Sequence, residues 1–347
     1  MLGAKQAALR HYLLTVLGTG RLQTMHYAYR CGQNAHHYPL PVDNAVPWQT
    51  TDTGWQLRVP LPEVPAAHII TPSLSIPGTQ QSPYHCTLLS DGHMLPLQPV
   101  PTRLAEVQTA SSEPTSDTTP AGCTAHIDCW HTEQVVRNAE IIVAISGTPP
   151  HADTSLLFTV TLRPLNLDVI PPQNMQIQTP KPKAISQMSA RADIAARICS
   201  PTALTMALSN QGTPGLSWPQ AIQECYDPQT RAYGSWPLAI RTAAGRGWLG
   251  AVEVIDTWET VEQVLQQRVP MVCSINFAAG QLNGAPLSST PGHLVVLWGI
   301  EDEQVLVADP AAATPDEVLQ HYNLNEFSRA WLQARGAGYI FAPRLCD

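Results

Sequence analysis

The sequence predicts two domains: an all-β sandwich over residues 1–165 and an α+β domain over residues 185–347, joined by a proline-rich linker over residues 166–184. Three observations carry this reading. Short apolar runs broken by Pro, Gly and Ser fill the first part. Between Arg163 and Lys183, "RPLNLDVIPPQNMQIQTPKPK" holds five prolines and little periodicity, as an extended connector does. Helical and strand-like periods then alternate to the end of the chain. The length of 347 residues suits about two domains.

In the first part, "WQLRVPLPEV" (Trp55–Val64), "AEIIVAIS" (Ala139–Ser146) and "LLFTVTLRPL" (Leu156–Leu165) read as strands. Their short, regular spacing predicts a sandwich. "QTASSEPTSDTTPAG" (Gln108–Gly122) reads as a polar loop. In the second part, a helix follows Cys199. "WPLAIRTAAGRG" (Trp236–Gly247) predicts another helix with a glycine stop. "TWETVEQVLQQRV" (Thr257–Val269) is amphipathic, with an acidic first turn after Thr257. "PMVCSINF" (Pro270–Phe277), "GHLVVLWGI" (Gly292–Ile300), "QVLVADP" (Gln304–Pro310) and "GYIFAP" (Gly338–Pro343) predict strands, and "LNEFSRAWLQA" (Leu324–Ala334) a last helix. Helices first and a largely antiparallel sheet after them define the α+β class.

Composition narrows the function. The chain is 44% hydrophobic and 13% charged, as a packed protein is. Its net charge is −8 and no Lys/Arg cluster occurs, which argues against nucleic acid or an anionic membrane as partner. No apolar run is long enough for a transmembrane helix. The first twenty residues make a poor signal peptide, so the expectation is a cytoplasmic protein, or a secreted one if a leader is removed beforehand. Eight cysteines in a large chain of this kind predict reduced thiols rather than a disulfide framework.

"RICSPTALTMAL" (Arg197–Leu208) places a cysteine at the mouth of a helix. Pro201 suits a first helical turn, and Ala203, Leu204, Ala207 and Leu208 recur at helical spacing. A thiol there meets free N–H groups and the positive end of the helix dipole, which favour thiolate. A buried structural cysteine is the alternative. His293 opens one predicted strand and Asp309 closes the next, so a hairpin puts both at one end of a sheet. The simplest turn sets His293 slightly past Asp309, and contact between them requires a bulge or a longer turn. Together these residues predict a Cys–His–Asp triad. Separately, they read as a strand-end histidine and a turn-forming Asp-Pro.

From Gln187 to about Pro343 the chain resembles papain-fold cysteine peptidases of the bacteriocin-processing, C39-like type. More narrowly, it resembles their free-standing bacterial relatives that lack a transporter. "CSPTALTM", "YGSWPLAIRTAAGRG", "LNGAPLSSTPGHLVVLWGI", "VLVADPAA" and "EFSRAWL" carry the resemblance. It implies a papain-like fold and a cysteine peptidase acting on a peptide or amide substrate without a cofactor. Cys199 would be the nucleophile, His293 the general base, Asp309 the orienting acid and Gln187 an oxyanion donor. An ordinary exposed glutamine is the alternative for Gln187. A papain-fold acyltransferase and a non-catalytic peptide-binding module remain the rival functions, and the oligomeric state stays open. Cys-Ser-Pro stands where Cys-Gly-Pro is more usual, and the first part resembles the family's accessory domain only at "ITPSLSIPG" (Ile70–Gly78).

Other clusters compete less well. "CTAHIDCWH" gathers Cys123, His126, Cys129 and His131, but on a single strand His126 would face away from the other three. Cys31 with His36 and His37 is a weaker set. Trp236 and Trp331 read as core. No metal is predicted.

Overall fold

The computed structural model describes residues 25–31, 38–42, 48–78, 82–100, 122–148, 156–209 and 216–342. His36, His37, Cys346, the N-terminal stretch and nearly all of the polar loop over 108–122 lie outside the described residues. The protein is mixed α/β and mostly β-sheet.

Among the described residues the first part holds ten strands: β1 (Met25–Cys31), β2 (Trp48–Thr51), β3 (Gly54–Pro60), β4 (His68–Ser75), β5 (Tyr84–Ser90), β6 (His93–Pro96), β7 (Cys123–Ala125), β8 (Trp130–Thr132), β9 (Ala139–Ser146) and β10 (Leu156–Pro164). They form two antiparallel sheets, ordered β1-β10-β4-β8-β7 and β2-β3-β9-β5-β6. Alternate residues of β3 and β9, such as Leu57, Val59, Ile141 and Val143, share a core with Ile70, Leu74, Phe158 and Val160 of the other sheet. The three runs read as strands from sequence are β3, β9 and β10.

The second part opens with α1 (Ala192–Ala195), α2 (Cys199–Leu208), α3 (Trp218–Glu224) and α4 (Trp236–Ala244). Then follow β12 (Gly250–Val254), α5 (Trp258–Leu265), β13 (Met271–Phe277), β14 (Thr290–Glu301), β15 (Gln304–Ala308), β16 (Leu319–Asn323), α6 (Leu324–Ala330) and β17 (Ala337–Phe341). A short strand before them, β11 (Gln176–Gln178), pairs with β14. The sheet is antiparallel in the order β12-β17-β13-β14-β15-β16.

Both faces of this sheet are covered, which explains its near-continuous apolar strands. Cys273, Ile275, Val295 and Leu297 join α5 and α6 in one core. Val272, Leu294 and Val296 join α2 and α4 in the other. Thr257 caps α5, its hydroxyl accepting from Thr260 N–H at 3.2 Å.

The proline-rich segment is not a free spacer. Val169 and Met175 are buried in the second part's core, and β11 extends its sheet. Proline forbids helix there but does not prevent apolar side chains from packing or an edge strand from pairing. The two parts also share polar contacts. β12 is an edge strand, and serines of β4 satisfy its free N–H groups: Val252 N–H donates to Ser73 Oγ at 2.9 Å and Gly250 N–H to Ser75 Oγ at 3.4 Å. Tyr38 donates to buried Glu253 at 2.7 Å, and Thr161 donates to its other oxygen. Fully buried Arg163, at the end of β10, donates to the carbonyls of Ala334 (3.0 Å) and Leu332.

Charge-assisted hydrogen bonds contribute about 1.5–3 kcal/mol each. Arg163→Met removes two, keeps most of the volume and strands two carbonyls. A loss of about 2–4 kcal/mol is expected in urea unfolding of the full chain; an unchanged midpoint would show that the junction tolerates their loss.

Candidate active site

Cys199 is the first residue of α2. Pro201 therefore stands third in the helix, in the first turn as its sequence reading places it, where N–H groups lack intrahelical partners. The helix is buried on nearly every side, as its apolar composition requires. Ser200 carries a hydroxyl into this interior, and Tyr339 of β17 partners it at 2.9 Å.

Cys199 is half-buried as a residue, and its sulfur lies within electrostatic reach of the His293 ring and of the backbone N–H groups of Leu294 and Ser200. His293 is 3% exposed. Its Nε2 lies 2.7 Å from Asp309 Oδ1, which leaves Nδ1 for the thiol. Asp309 Oδ1 also accepts from Ala311 N–H at 2.8 Å, and Oδ2 from the Tyr322 hydroxyl at 2.8 Å.

The hairpin that joins these residues contains a bulge. β14 and β15 pair Glu301 with Gln304 and Gly299 with Leu306, then Leu297 with Val307 and Val296 with Ala308. Trp298 is the extra residue. Continuing the shifted register sets Asp309 opposite Val295, on the same face as His293; without the bulge it would stand opposite Val296 and face away. Gly299 follows the bulge because β11 approaches closely: a Cβ there would come within 2.9 Å of the Ile177 carbonyl oxygen.

Burial opposes charge at all three groups, and their partners outweigh it. Burial would raise the Cys199 pKa, but His293 and the two N–H groups bring it below its ordinary value. Burial would lower that of His293, but Asp309 and the thiolate lift it to about 10. Burial would raise that of Asp309, but His293, Ala311 and Tyr322 hold it down. All three shifts favour a thiolate beside an imidazolium, oriented by a carboxylate. Burial has the opposite net effect on the other buried thiols, pushing Cys86 and Cys225 up to about 12 and Cys123 to about 11.

Gln187 begins a 3-10 turn, and its N–H donates to Pro310 O at 2.8 Å, tying it beside Asp309. Its side chain is buried rather than exposed, and Oε1 has no hydrogen-bond partner. Tyr322 was not singled out from sequence, because only the pairing of β15 with β16 brings it beneath Asp309.

The "CTAHIDCWH" run is a hairpin, β7 to β8, rather than one strand. Cys129 Sγ lies 3.8 Å from His131 Nε2, and the rings of His126 and His131 are 4.0 Å apart. Among the described residues no three His, Cys, Asp or Glu side chains are grouped to hold a metal ion. Trp236 and Trp331 are buried core residues. Cys86, Cys123, Cys129, Cys199, Cys225 and Cys273 are free thiols.

Residues 180–339 match the Peptidase_C39 like family. The motifs quoted from the second part lie almost wholly within this C39-like span. A crystal structure from Bacillus anthracis, provisionally assigned as a C39-like peptidase, aligns with 50% of this chain and 100% of its own at 18% identity, with a TM-score of 0.38. No curated protein matches the chain.

Depression of the Cys199 pKa means that its thiolate persists at pH values where ordinary thiols, near 8.5, are almost wholly protonated. At pH 6 iodoacetamide should label Cys199 at least about tenfold faster than any other cysteine, and His293→Ala should erase that lead; uniform labelling, read by peptide mapping, would show no activated thiol. Tyr322→Phe removes one donor to the Asp309 carboxylate. The acid limb of the Cys199 labelling profile should move to higher pH, because a less stabilised carboxylate supports the imidazolium less; an unmoved limb would show that the Tyr322 bond does not reach the thiol.

Proposed function

We propose that residues 185–347 form a papain-like cysteine peptidase domain, with residues 1–165 as an accessory β-sandwich domain and residues 166–184 strapped along the peptidase sheet. One observation carries this reading: His293, held by Asp309 at 2.7 Å, depresses the pKa of Cys199 at a helix N-terminus. The family match supports the same reading.

In this mechanism the Cys199 thiolate attacks the carbonyl carbon of a peptide bond. The S–C bond forms, and the carbonyl pair moves onto oxygen. The Cys199 N–H and the Gln187 Nε2 donate to that oxyanion, and Gln187 is buried beside Asp309. The intermediate collapses, the C–N bond breaks and the His293 imidazolium protonates the leaving amine. Water then attacks the thioester, His293 takes its proton, and the acid product leaves as the thiolate reforms. Asp309 holds the ring in place throughout and is not itself protonated. The chemistry calls on no cofactor. Retention of all three groups separates this reading from a binding module.

The full-length chain should form one covalent adduct with a peptide-based electrophile directed at amide-cleaving thiols. Intact mass and peptide mapping should place the adduct on Cys199, and Cys199→Ala and His293→Ala should both prevent it. An adduct mapping to another cysteine, or one unaffected by His293→Ala, would overturn the reading.

A further inference from the structure

The segment between α3 and α4 is bound to the chain that enters α2. Arg197, two residues before Cys199, donates to the Arg231 carbonyl, and its guanidinium lies over the Tyr233 ring at 5.9 Å. Tyr226 and Tyr233 pack with ring centroids 5.1 Å apart. With Ile194 and Ile222 they wall a depression of about 400 Å³.

Both ends of this segment are held from the first part of the chain. At the start, buried Asp227 closes the loop: its N–H donates to Ala232 O at 2.8 Å, and its carboxylate accepts from Gln229 N–H at 2.9 Å and Thr230 Oγ1 at 2.7 Å. Gln98, just beyond β6, donates to the same carboxylate. At the end, Trp236 is the first residue of α4. Ser235, at the N-cap, makes no side-chain cap bond, and Asp128 from the β7–β8 turn accepts the Trp236 N–H at 3.1 Å instead. The helix is capped by a residue more than a hundred positions away. Gln98, Asp128 and Pro237 line one crevice at this junction.

We infer that Gln98 and Asp128 are positioning residues, through which the first part of the chain fixes the Tyr226–Tyr233 wall that Arg197 ties to the chain entering α2, and so selects the peptide that reaches Cys199. The selection half rests on the peptidase reading above. The clamp half does not.

The test uses full-length Gln98→Ala, Asp128→Ala and Asp128→Asn, with two readouts. Amide hydrogen exchange over residues 227–236 should quicken by about fivefold or more in both alanine variants, the scale of a lost cap, while exchange in β13 and β14 stays unchanged. Asp128→Asn keeps an acceptor and should restore the slow exchange. Cys199 labelling by a peptide-length electrophile should fall about fivefold in the alanine variants, and labelling by iodoacetamide should stay within about twofold. Unchanged exchange at 227–236 overturns the clamp. Quicker exchange with both labelling rates intact, or with both lowered equally, overturns its role in selection. If the unsubstituted protein takes neither reagent at Cys199, the peptidase reading fails, and exchange at 227–236 still decides the clamp.

Discussion

A single extra residue in β14, between Leu297 and Gly299, sets the face on which Asp309 stands. Side chains alternate along a strand, so a one-residue slip moves the carboxylate to the opposite side of the sheet. Every later feature of the site depends on that placement. It brings Oδ1 to His293, sets Oδ2 over the Tyr322 hydroxyl and lets the backbone of Ala311 fold back onto the carboxylate. Three donors satisfy a charge that burial alone would neutralise. The ionised carboxylate favours the imidazolium, and the imidazolium with two backbone N–H groups favours the thiolate.

The same economy governs the scaffold around the site. A sheet buried on both faces leaves its edges as the exposed weakness. β11 pairs with the end of β14 that runs beyond β13, and the serines of β4 accept from the outer N–H groups of Gly250 and Val252 on the edge strand β12. The first part of the chain is therefore not a bystander to the second. It supplies hydrogen-bond partners to an edge strand, a cation to two helix-end carbonyls through Arg163, and a cap to α4 through Asp128. Apolar contact runs the same way, with Ile69 and Cys129 in one core of the second part and Leu157 in the other.

Cys199 differs from the other buried thiols in its neighbours rather than in its burial. Cys86, Cys225 and Cys273 are buried, and desolvation raises their pKa values, at Cys225 outweighing the Thr242 hydroxyl and the nearby arginines. Cys199 has a charged ring and two N–H groups within reach, and the same desolvation then strengthens its electrostatic attraction to them.

Local pattern determined much of this protein. Periodicity placed β3, β9, β10, β13, β14, β15 and β17 and helices α2, α4, α5 and α6, because both sides of the second sheet and the inner faces of the first two demand apolar residues at strict spacing. The Cys-Ser-Pro at a helix mouth and the His and Asp at the open end of a hairpin were legible for the same reason. Short strands such as β7, β8, β11 and β16 were not, since three to five residues carry too little period to read. The roles of Tyr322, Arg163 and Asp128 were decided only by tertiary structure. Each makes bonds with residues far along the chain or on another strand, and no spacing in one dimension records such a meeting. The proline-rich segment shows the same limit: its composition correctly forbade helix, but whether it hung free or lay along the sheet depended on whether apolar surface waited for Val169 and Met175.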